Sequence, residues 1–107
     1  MCVIIVKQKE QEISKEIAKT SARLNPHGLG IVWLDTYEVT YHQSKDYGIL
    51  LTNRPFIAHF RYATVGAIGI DNMHPFVCGV QRYELLMMNG TINGLGNAKT
   101  CDTKVLA

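Results

Sequence analysis

The apolar segments of this 107-residue chain are short, and turn-forming residues close each of them within a few positions. Val3-Ile4-Ile5-Val6 comes first, and its mostly β-branched composition suits a strand buried on both faces. Positions 30–34 and 38–42 read as a second and a third strand, with Asp35-Thr36-Tyr37 as the hairpin turn between them. Asp46-Tyr47-Gly48 reads as a break, 56–61 as a fourth strand, 77–80 as a weak one and 83–88 as a strong one. Only 11–24 shows helical periodicity, with Ile13, Ile17 and Leu24 on one face and Lys15, Glu16, Lys19 and Arg23 elsewhere. Ser14 suits the N-cap of a slightly shorter helix, and Asn25-Pro26-His27-Gly28 ends it. A second helix is expected to begin at Asp102. Short hairpin-linked strands with one early and one late helix predict an α+β domain over 1–107, mostly antiparallel.

Composition narrows the function classes. Hydrophobic residues at 47% and charged residues at 19% are globular values and argue against disorder. The net charge of +2 is scattered, and without a basic run nucleic acid is not an expected partner. Cys2, Cys78 and Cys101 are odd in number and far apart, which fits a reducing compartment rather than a disulfide framework. Lys7, Lys9, Glu10 and Glu12 cut off the first apolar run too early for a signal peptide. No stretch approaches the ~20 apolar residues of a membrane span, so a soluble, cytoplasmic protein is expected.

Four polar clusters carry candidate chemistry, and each has a structural alternative. Cys2 is either a small buried cysteine at a strand start or, once Met1 is removed, a nucleophile whose own α-amine serves as base. Arg61 sits on the strand that carries His59 and Ala63 on the same side; it can grip a carboxylate through paired hydrogen bonds or hold loop carbonyls. Asn89-Gly90 is either a turn or a pair of donors to one developing oxyanion. Asp102 either caps the last helix or binds a substrate ammonium. His27, His42, His59 and His74 lack metal-ligand spacing, and 94–100 lacks the glycines of a phosphate loop, so no metal and no cofactor is expected.

Taken together, these clusters resemble the class II glutamine amidotransferases, whose glutaminase domain belongs to the N-terminal-nucleophile hydrolases. Met1-Cys2 looks like the start of that pattern, and His27-Gly28-Leu29-Gly30 is similar to the Gly-x-Gly opening its second strand. The stretch from His59 through Arg61 and Thr64 to Gly66 resembles His-x-Arg-x-x-Thr-x-Gly. Asn72-Met73-His74-Pro75-Phe76 resembles Asn-x-His-Pro-Phe, and Asn89-Gly90-Thr91-Ile92-Asn93 resembles Asn-Gly-x-Ile-x-Asn. Cys101-Asp102-Thr103 stands where the family has Ser-Asp-Thr. One such motif alone is weak; all of them in the family's order are specific.

The resemblance implies an α/β/β/α sandwich in partial or minimal form, and hydrolysis of the L-glutamine side-chain amide to glutamate and ammonia through a Cys2 thioester. Asn89 and the Gly90 N–H would hold the oxyanion, where one donor is typically worth about 2.7–4 kcal/mol of barrier. Arg61 with Thr64 would hold the α-carboxylate and Asp102 the α-ammonium, while 72–76 would be scaffold with His74 ordering a loop. An ammonia-accepting synthase domain or subunit is the implied partner. Val3 replaces the glycine that usually follows the nucleophile, Cys101 a serine, and Lys104 often an acid. The family's glutaminase domain is also longer, which predicts an exposed apolar sheet face and self-association. The rival expectation is a catalytically inactive family member that serves as a protein-binding or regulatory module. Another N-terminal-nucleophile amidase, with a different acyl group, is the third.

Overall fold

The computed structural model describes residues 2–81 and 84–107. Its main sheet is fully antiparallel, with strands β1 (Val3–Lys7), β4 (Phe56–Phe60), β2 (Leu29–Trp33) and β3 (Glu38–His42) side by side in that order. Helix α1 (Lys15–Leu24) links β1 to β2, a 3₁₀ segment at Ser44–Leu50 follows β3, and a short one at Ile70–Asn72 precedes a second sheet. That sheet pairs β5 (Phe76–Cys78) with β6 (Glu84–Leu86), and α2 (Asp102–Leu106) closes the chain. The fold is therefore α+β and mostly antiparallel, as the short apolar runs imply.

Strand alternation decides where the core lies. Leu29, Ile31 and Trp33 on β2 and Phe56, Ala58 and Phe60 on β4 turn to the same side and are buried there with Ala22 of α1 and Leu50. The registers Leu29↔Phe60, Ile31↔Ala58 and Trp33↔Phe56 place these side chains directly opposite one another. Trp33 meets Phe56 edge-on, with ring centroids 5.8 Å apart at 77°. Burying a side chain of this size contributes about 1.5–3 kcal/mol each. Lys7 joins the same side, with its Nζ 5.5 Å over the Phe56 ring and donating to the Gln11 carbonyl at 2.6 Å.

Several sequence expectations need correction. β1 is not buried on both faces: Ile4 is 37% and Val6 66% exposed, because β1 is an edge strand whose second face nothing covers at those positions. Helix α1 starts at Lys15, where Ser14 accepts the Ile17 N–H at 3.1 Å, in agreement with the shorter capped form. Its buried face is Ala18, Ser21 and Ala22, not Ile17 and Leu24, which are both more than half exposed. Small residues fill the contact that α1 makes with the core, where Ala22 packs, and the longer ones point outward. Ile13 precedes the helix and packs on the core. The break expected at Asp46-Tyr47-Gly48 falls on Asp46 alone, whose non-helical backbone kinks the Ser44–Leu50 3₁₀ segment, while Tyr47 and Gly48 continue that segment.

Strand ends also shift. β2 begins at Leu29, and Leu34 belongs to the turn. β4 stops at Phe60, and Arg61 extends the contact by donating its N–H to the Gly28 carbonyl at 2.8 Å. The weak strand is Phe76–Cys78, with Val80 left fully exposed, and the strong one is Glu84–Leu86, its expected start at Tyr83 lying outside the described residues. Among the described residues, no helix is long and apolar enough to cross a membrane.

The other face of the main sheet receives the segment that enters the second sheet. A Cβ at Gly30 would overlap the His74 carbonyl, so only glycine permits this approach, and the Tyr41 hydroxyl donates to the Pro75 carbonyl at 2.8 Å. The His74–Pro75 peptide is cis. Through this contact β2 and β3 position the stretches that form the site.

Candidate functional site

Cys2 lies one step beyond the β1–β4 ladder, so its position follows from the pairing of Val3 with Phe60. Its half-buried thiol accepts the Tyr62 N–H at 3.2 Å and reaches the Tyr62 carbonyl at 3.6 Å. Tyr62 is held in turn by His27, whose ring stacks at a tilt 5.1 Å away and whose Nδ1 accepts the Ala63 N–H at 2.8 Å. The thiol is thus anchored to backbone, a partner that no side-chain motif reveals.

A narrow cleft beside the thiol collects segments from the whole second half of the chain. Cys2, Arg61, Thr64, Gly90 and Asp102 all line it, together with His74, Met88 and Cys101. Asn89 does not line the cleft; it is exposed next to Gly90. The free volume is about 10 Å³, room for roughly one water molecule and not for an amino acid. A hydrogen bond of 2.7 Å between the hydroxyls of Thr64 and Thr91 joins the two loops.

The charged groups at this cleft are already engaged. Arg61, 2% exposed, donates to the carbonyls of Ala67 at 2.7 Å and Val65 at 3.0 Å, which are the loop-carbonyl bonds of its structural alternative. Burial lowers its pKa, opposed by the adjacent Cys101, Cys2 and Asp102, and the guanidinium stays charged. Asp102 is the first residue of α2 rather than its cap; its carboxylate accepts the Ile92 N–H at 2.5 Å and its own neighbour's, Thr103, at 2.8 Å. Asn72 completes the frame by donating to the Ala67 and Lys99 carbonyls and accepting the Cys101 N–H at 2.8 Å. It stitches the Arg61 loop to the Asp102 segment, a scaffold role in keeping with the sequence expectation for 72–76.

The stretch at Asn89-Gly90 is placed by a pair of stacked histidines. His59 on β4 and His74 lie parallel, 3.9 Å apart at 2°. The Met88 carbonyl accepts from His59 Nε2 at 3.0 Å, and the Met88 N–H donates to His74 Nδ1 at 3.1 Å. These bonds dictate the tautomers: His59 carries its proton on Nε2, and a neutral His74 carries its on the same atom. Among the described residues, His59 Nδ1 is buried without a hydrogen-bond partner. Burial pushes the pKa of His59 down to about 4, against the favourable Met88 bond and with the Arg61 charge adding to the fall. His74 is pushed down to about 3, by burial first and then by His59 and Arg61. Both rings are neutral at pH 7 and together clamp both polar atoms of the Met88 backbone, the residue before Asn89-Gly90. The period-two reading puts His59 beside Arg61 but gives no sign of its stacking partner, which depends on the approach at Gly30.

Compared with protein-family models, curated proteins and solved structures, the chain has no significant match to any.

Proposed function

We propose that this chain is a glutaminase-type domain that hydrolyses the side-chain amide of L-glutamine at Cys2. The observation that carries the reading is the convergence of Cys2, Arg61, Thr64, Gly90 and Asp102, remote in sequence, around one cleft. The helix on one face of the main sheet and the second-sheet segment on the other support an N-terminal-nucleophile sandwich in reduced form. With Met1 removed, the α-amine takes the thiol proton and sulfur attacks the amide carbon. The oxyanion is held by the Gly90 N–H, and Asn89, which stands outside the closed cleft, has to turn inward to supply the second donor. The amine proton passes to the departing nitrogen, the C–N bond breaks and ammonia leaves. Water then cleaves the glutamyl thioester, releasing glutamate and the free thiol. Arg61 with Thr64 and Asp102 grip the two ends of the amino acid head, which discriminates glutamine from simple amides. An ammonia acceptor, on another domain or subunit, is the expected partner.

The closed state of the cleft favours a second reading, a family scaffold that no longer catalyses and binds another protein. Substrate entry requires the Thr64–Thr91 bridge to part and Arg61 and Asp102 to exchange backbone partners for substrate. Intact mass spectrometry before and after 6-diazo-5-oxo-L-norleucine, with a Cys2→Ala control, separates the two. Loss of Met1 and one adduct on Cys2, matched by ammonia release from glutamine that Cys2→Ala abolishes, supports the enzyme. Retained Met1 with no adduct and no ammonia overturns it.

A further inference from the structure

A second cavity, larger than the thiol cleft and open to solvent, lies between α1 and the Ser44–Leu50 segment, with a volume of about 540 Å³. Sites for small molecules typically enclose about 300–1,000 Å³. Its walls are largely apolar, with Ala22, Pro26, Met73 and Tyr47 among them. Its charge is of one sign: Lys19 and Arg23, four residues apart on α1, stand on one side and Lys45 on the other. Among the described residues no acidic side chain lines it, and none of the three cations takes part in a salt bridge.

The cavity is preformed. Met73 rests against Gly28, where a Cβ would come within 2.6 Å of its terminal methyl group. The buried hydroxyl of Ser44 donates to the Asn25 carbonyl at 2.9 Å and accepts the Gly28 N–H at 3.0 Å, tying the 3₁₀ wall to the end of α1. Fixed walls reduce the ordering cost of binding.

We propose that this cavity binds a small aromatic anion, with its ring against Tyr47 and Met73 and its carboxylate or phosphate among Lys19, Arg23 and Lys45. A neutral ring leaves the three cations unmatched, and an aliphatic anion leaves the apolar walls unfilled. The site does not depend on glutaminase chemistry, and the Cys2→Ala protein binds equally.

The test is amide NMR on the full chain, titrated with naphthalene-2-carboxylate, its neutral carboxamide, adenosine 5′-monophosphate and adenosine. Saturable shifts are expected at Ala22, Gly28 and Lys45, with each anion binding about tenfold tighter than its neutral counterpart. The tighter of the two anions assigns the head group as carboxylate or phosphate. Lys19→Gln, Arg23→Gln and Lys45→Gln alter exposed side chains; each weakens anion binding about two- to fivefold, and the triple variant erases the preference for charge. Absence of saturable binding, equal affinity for charged and neutral rings, or shifts centred on Thr64 and Gly90 overturns the proposal.

Discussion

Lowering the pH from 8 to 5 is expected to destabilise this protein through His59 and His74 before its carboxylates titrate. Unfolded, both rings titrate near 6.5; folded, near about 4 and about 3. A folded-state pKa below the unfolded one means that the unfolded chain binds more protons, so stability falls as pH drops through 6.5 toward the folded values. At pH 5 an unfolded imidazole is almost fully protonated while both folded rings remain neutral. Each ring then costs about 2 kcal/mol relative to pH 8, and the pair about 4 kcal/mol. Against a typical total of about 5–15 kcal/mol that is a large share. The assay is urea unfolding followed by circular dichroism from pH 8 to pH 5. The control is His59→Gln with His74→Asn, in which the amides keep a donor for the Met88 carbonyl and an acceptor for its N–H without titrating. The double variant should show a nearly flat profile. A flat wild-type profile, or an equal slope in the variant, refutes burial of two neutral rings.

Two further outcomes follow from packing. Gly30→Ala should destabilise the fold by about 3 kcal/mol, because its methyl group collides with the His74 carbonyl rather than with a movable side chain; a urea midpoint within error of wild type would contradict this. The exposed Ile4 and Val6 face on edge strand β1 should drive self-association, visible in sedimentation velocity at high concentration and removed by Val6→Lys; a clean wild-type monomer would count against it.

Much of the local architecture was legible in residue order. Ser14 and Asn25 bracket α1, the 38–42 strand and its hairpin turn fall where alternation and turn residues put them, and Asp102 opens α2. These features rest on neighbouring residues, so propensity and capping suffice to find them. The candidate site residues could be named from sequence for the same reason, as motifs at the ends of strands.

Their relations could not be named. That Ile17 and Leu24 face outward follows from which side of α1 meets the core, and that β1 has a solvent face follows from its place at the edge. The bonds of Arg61 to loop carbonyls, the clamp of His59 and His74 on Met88, and the anchoring of the Cys2 thiol by Tyr62 join residues far apart in the chain, mostly through backbone atoms. Backbone donors and acceptors are the same at almost every residue, so sequence holds no record of which will meet. Residue identity determined which chemistry this chain can carry; tertiary packing decided that Cys2, Arg61, Thr64, Gly90 and Asp102 share one cleft while Asn89 stands outside it, because only the closed fold brings distant backbone within hydrogen-bond reach.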